Sequence, residues 1–140
     1  MNPTRRIAMA MALAVGALVL GATSSSIAQP AAALVVRSSD AGGVRVAVKP
    51  KSLSGPDWEF EVVMDTHSKP LDDDLSKIAV LVDDAGRRYT PSAWQGDKPG
   101  GHHRKGVLLF TAPSAQIKSF ELQIQGLAGT SKRTLQWTIK

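Results

Sequence analysis

Apolar and polar residues alternate along most of the chain beyond position 43. Val44, Val46 and Val48 fall on one side and Arg45, Ala47 and Lys49 on the other, the period-two pattern of a half-buried β-strand. The run Leu34 to Arg37 is its predicted partner, joined through Ser39-Asp40-Ala41-Gly42-Gly43, and Pro50 is the expected end of that hairpin. Trp58 to Thr66 is the longest clean strand, with Trp58, Phe60, Val62 and Met64 inward and Glu59, Glu61, Val63 and Asp65 outward. Lys77 to Val82 and Arg87 to Thr90 predict a second hairpin around Asp83-Asp84-Ala85-Gly86, whose glycine is placed for a positive φ. Between Pro91 and Gly106 the alternation lapses into Pro, Gly, Trp94 and His, which predicts a long irregular loop. Order returns at Val107 to Thr111. A closing hairpin places Phe120, Leu122 and Ile124 opposite Leu135, Trp137 and Ile139 around the turn Gly126 to Gly129.

Seven or eight short strands at intervals of about ten residues, with no helix beyond a turn at Leu71 to Ser76, predict an all-β, immunoglobulin-like antiparallel β-sandwich. A closed barrel is the competing architecture. Three tryptophans are large enough to fill much of the roughly 10 Å between two packed sheets.

The N-terminus follows a different pattern. Arg5 and Arg6 precede an apolar run from Ile7 to Gly21, and Ser26-Ile27-Ala28 places small residues three and one before a cut, the pattern of a secretory signal peptide over residues 1–28. The apolar run is shorter than the roughly 20 residues a spanning helix needs, so no membrane span is expected after cleavage. Thr4-Arg5-Arg6 invites the alternative of twin-arginine export, although the lysine and the specific apolar positions of that motif do not follow the pair. Residues 29–33 then form a short leader and 34–140 a single domain in the periplasm or outside the cell.

Removing the signal lowers the formal charge from +5 to +3, and the remaining basic residues are scattered in ones and twos such as Arg87-Arg88 and Lys132-Arg133. A nucleic-acid partner is not expected, because a phosphate-tracking stripe needs clustered basic residues with stacking aromatics. The absence of cysteine excludes disulfides, thiolate metal sites and cysteine nucleophiles. No Gly-x-Ser-x-Gly elbow, phosphate loop or His-Glu-x-x-His helix occurs, so the chain reads as a non-enzyme. Asp72-Asp73-Asp74 and Asp83-Asp84 lack the spacing of a calcium loop and read as solvated acidic turns.

All three histidines lie in two short segments. Asp65-Thr66-His67-Ser68 ends the long strand, and alternation points Asp65 and His67 to one outward face, where a carboxylate and an imidazole can share an ion. Gly100-Gly101-His102-His103-Arg104 carries the other two. If a sandwich edge brings the segments together, Asp65, His67, His102 and His103 form a donor set suited to Cu(II) or Zn(II). If instead the Val107 strand extends backwards, His102 shares the parity of Phe110 and is a packed, hydrogen-bonded residue, while His103 faces out.

The blocks from Trp58 to Ser68, Trp94-Gln95-Gly96 and Gly100 to Phe110 resemble a small exported bacterial domain of unknown function, over about Val44 to Ile139. That resemblance implies a β-sandwich and an envelope location, and no site residues. In size, export and histidine content the chain also distantly resembles the cupredoxin-like periplasmic copper carriers, but it lacks their histidine near the mature N-terminus, where Gln29 stands. Two functions remain open: an exported binding module taking copper, zinc or a protein partner, and a structural or protein-interaction domain whose histidine segments only pin a long loop to the sandwich.

Overall fold

The computed structural model describes residues 34–114 and 116–139; the signal peptide and leader expected over 1–33 lie outside them. Strands β1 (Arg37–Ala41), β2 (Val44–Ser52) and β3 (Asp57–Thr66) form a meander. A short helix, α1 (Leu75–Ile78), leads into β4 (Ala79–Asp83) and β5 (Arg88–Tyr89). The chain continues through β6 (Ala93–Gly96), β7 (His103–Thr111), β8 (Ser119–Gln125) and β9 (Lys132–Thr138). One sheet has the order β1-β2-β3-β7-β6 and the other β5-β4-β8-β9, all pairs antiparallel. Setting β1 aside, these are the immunoglobulin orders A-B-E-D and C′-C-F-G. The all-β sandwich follows from the alternation along each strand. Among the described residues no helix is long and apolar enough to cross a membrane.

The boundaries differ from the sequence expectation in four places. Polar Arg37–Ala41, partly read as turn, is itself the edge strand β1, and the turn is Gly42-Gly43 alone, both at positive φ (61° and 79°) as a two-residue hairpin loop requires. Pro50 does not end β2; it lies beyond the last β1–β2 pair, at a register shift, where a missing N–H breaks no ladder between those strands. Lys77 and Ile78 belong to α1, capped by the Asp74 carboxylate, which accepts from Ser76 N. The loop expected after Pro91 contains β6, and β7 starts at His103 rather than Val107.

The core is aromatic at its centre. Phe60 meets Phe110 and Phe120 edge-on, at 5.6 and 5.8 Å between ring centroids, and Trp137 at 6.1 Å. Phe120 stacks on Trp137 and takes Trp58 against its edge, so two of the three tryptophans fill the sandwich. Trp94 lies outside this cluster.

A buried guanidinium holds the extra strand. Arg133 on β9 donates to Val44 O (2.8 Å), Ala41 O (2.6 Å) and Ser39 O (3.3 Å), tying the β1–β2 hairpin to the opposite sheet. Within the acidic segments Asp72 and Asp84 are exposed, as expected of solvated turns, whereas Asp73 and Asp83 hold structure. Asp73 accepts from Ala128 N, and the buried Asp83 carboxylate accepts from Ala85 N, Arg87 N, Arg87 Nε and Tyr89 Oη. Burial opposes ionisation of Asp83, but these hydrogen bonds outweigh it and hold its carboxyl below the usual range. A depressed folded pKa adds stability above the unfolded value of 3.8, and that contribution is lost as pH falls through the folded pKa. Asp83→Asn is therefore expected to lower the urea midpoint at neutral pH and to converge with wild type in acid; an unchanged gap at about pH 2 would refute this assignment.

Candidate functional site

Asp65, the next-to-last residue of β3, stands in register with Arg45 on β2 and His103 on β7. All three side chains face outward, with Asp40 opposite Arg45 on β1, so charges of alternating sign cross one end of the five-stranded sheet. His103 Nδ1 lies 2.5 Å from Asp65 Oδ1. A carboxylate only accepts, so the imidazole donates from Nδ1, and in the neutral ring Nε2 keeps its lone pair. Both side chains are more than half exposed, which screens the pair.

His67 lies two residues beyond Asp65 and is exposed, on the rim of a concavity of about 500 Å³ that also includes Asp40, Arg45 and Ser68. His102 is exposed as well, which corrects its reading as a packed histidine; its backbone does the bonding, with Thr66 N donating to His102 O at 2.9 Å. The inward row of β7 is instead Arg104, Gly106, Leu108 and Phe110. The structure thus joins Asp65 to His103. Among the described residues no three His, Asp or Glu side chains gather as a group able to hold a metal.

Thr66, between Asp65 and His67, is buried and organises the turn that follows. Its hydroxyl donates to Gly43 O and accepts from Lys69 N and Ser68 N. Leu71 then exchanges backbone bonds with the β6–β7 turn, donating to Gly101 O (3.1 Å) and accepting from Gly100 N (2.8 Å). Arg104, almost fully buried, completes this junction by donating to Leu71 O (3.0 Å), Asp73 O (2.7 Å) and Asp97 O (3.4 Å). Burial pushes its pKa down, and the nearby carboxylates of Asp74, Asp97, Asp73 and Asp72 push it back up. Its Nε finds no partner among the described residues.

Beside this junction, between α1 and β6, a second concavity of about 500 Å³ contains Trp94. The indole Nε1 donates to Asp97 O at 2.9 Å, and the Arg104 guanidinium sits 5.6 Å from the ring centroid. Glycine is required beneath the ring, because a Cβ on Gly106 would stand 2.5 Å from it. No family model matches the chain, and no curated protein or solved structure does.

Chemically, the exposed Asp65–His103 pair offers one oriented imidazole; its one side-chain partner among the described residues is Asp65. Arg104 and Thr66 escaped the sequence reading because a charged or hydroxyl residue beside histidines reads as surface. Strand parity carried a usable signal for Arg104, which shares the parity of Leu108 and Phe110.

Proposed function

We propose that the chain is an exported, non-enzymatic binding module of the periplasm or cell envelope, in which the two histidine-bearing segments pin the β6–β7 turn to the β3–α1 connection. The observation that carries the pinning role is the junction itself: Thr66 N to His102 O, the Leu71 exchange with Gly100 and Gly101, and Arg104 beneath them. Export rests on the charge, apolar run and small residues of 1–28.

One observation favours a second reading. Asp65 fixes His103 through Nδ1, the arrangement that presents Nε2 to a metal such as Cu(II) or Zn(II), and His67 lines the concavity that Asp65 also borders. Titration of metal-stripped 29–140 with both ions, beside His67→Ala, His102→Ala and His103→Ala, separates the two. On the pinning reading no tight one-to-one binding occurs. Each variant then melts close to wild type, since the bonds at His102 are backbone bonds and an exposed pair such as Asp65–His103 is worth about 0–1 kcal/mol. Tight binding abolished by His67→Ala and His103→Ala would replace pinning with metal carriage.

A further inference from the structure

We infer that the Trp94 cleft binds a neutral sugar ring, a pyranose unit of a glycan. The inference rests on reading the domain as a non-enzymatic binding module, and it names the class of ligand.

The cleft is built around a fixed aromatic plate. The indole is locked at its nitrogen by Asp97 O, seated over Gly106 and packed on the core edge, with the Arg104 guanidinium over the ring at 5.6 Å from its centroid, yet it stays part-exposed in the cavity while Trp58 and Trp137 are buried. A rigid, part-exposed ring gives an apolar C–H face something to stack on without ordering a side chain first. Around it stand groups that bond hydroxyls. Ser92 and Lys98 line the cavity, and Lys98 forms no ion pair among the described residues. Asp97 commits Oδ2 to Lys105 N, which leaves Oδ1 to accept, whereas Asp74 Oδ1 accepts from Ser76 and its Oδ2 stands 4.0 Å from Lys77 Nζ.

The charges decide the class. Asp74 and Asp97 balance Lys98 and Arg104, and the Arg104 guanidinium is already spent on three carbonyls, so neither an anion nor a cation is favoured. A proline-rich peptide needs an aromatic-lined groove, whereas this compact cleft has one ring. A flat apolar face edged with hydroxyls fits both the ring and the rim. Of the other described concavities, those at Arg45 and His67 and between β1 and β9 have no aromatic lining, and the one beside Asp83 touches only Phe120, a ring buried in the core.

The test follows the indole N–H signals of metal-free 29–140 by NMR during addition of cellotetraose, maltotetraose and chitotetraose, with tetragalacturonate as the charged control. At least one neutral tetrasaccharide is expected to shift the Trp94 signal and leave Trp58 and Trp137 unmoved, and the tetragalacturonate to have no effect. Trp94→Ala should weaken binding about tenfold or more. Lys98→Ala, at an exposed position, should weaken it several-fold with unchanged melting. The recovered sugar is analysed by mass. Intact sugar supports both the site and the module; cleaved sugar keeps the site and removes the non-enzymatic reading. No shift with any neutral tetrasaccharide up to about 10 mM, or equal binding by Trp94→Ala and wild type, overturns the sugar site and leaves the module reading standing.

Discussion

Arg104→Ala is expected to destabilise the domain by about 3–5 kcal/mol and to lower its melting temperature by roughly 10–20 °C. The guanidinium serves two close carbonyls, Leu71 O and Asp73 O, and a longer one, Asp97 O. Alanine leaves a buried void and strips Asp73 O of its donor, at about 1–3 kcal/mol where water does not reach it, while Leu71 O keeps Gly100 N and Asp97 O keeps Trp94 Nε1. Arg104→Lys should recover only part of the loss, because a compact ammonium does not span three acceptors that a planar fork reaches together. The loss has a location as well as a size. Amides of Leu71, Gly100 and Thr66 should exchange with solvent faster than the core strands, since Arg104 closes the junction in which they bond. Urea denaturation with amide exchange on the same samples checks both parts. A destabilisation under about 1 kcal/mol would mean that water replaces the guanidinium and that the junction does not depend on it.

Phe60→Ala is expected to remove a comparable amount, about 3–5 kcal/mol, by a different route. Phe60 is fully buried and touches Phe110, Phe120 and Trp137, so its removal leaves a cavity between the sheets that rings held edge-on do not collapse to fill. Phe60→Leu, which keeps apolar bulk and loses the ring contacts, should cost roughly 1–2 kcal/mol. Near-ultraviolet circular dichroism gives an independent reading. The stacked Phe120–Trp137 pair should lose its fixed geometry in Phe60→Ala while the far-ultraviolet β-signal persists below the transition. Equal stability of the leucine and alanine variants would show that the cost lies in the lost ring contacts and not in the void.

Alternation made the strands that are buried on one face legible, and Trp58 to Thr66 is where its pattern placed it, because every inward residue there reports the same core. It failed at sheet edges. β1 is polar on both sides and borders a partner on one flank only, so Ser39 and Asp40 read as turn residues. β6 is four residues long, and its pairing with β7 depends on Gly96 lying opposite Gly106, a contact between two positions with no side chain to announce it. The candidate site was legible in part. Parity put Asp65 and His67 on one outward face, but only the β3–β7 register could select His103 over His102 as the partner of Asp65. Arg104 was hidden for the opposite reason: a buried charge satisfied by carbonyls leaves no matching acid in the sequence.

Arg133 sets an order on assembly. It stands 89 residues from Val44, whose carbonyl it serves, so the first hairpin made by the ribosome waits for the last strand before its inward carbonyls are bonded. Loop closure over that separation is slow compared with hairpin formation, and it leaves β1 and β2 to form early while their anchorage comes late. A chain cut short before β9 would hold most of its strands and still leave its N-terminal edge unfastened, open to pairing with another chain.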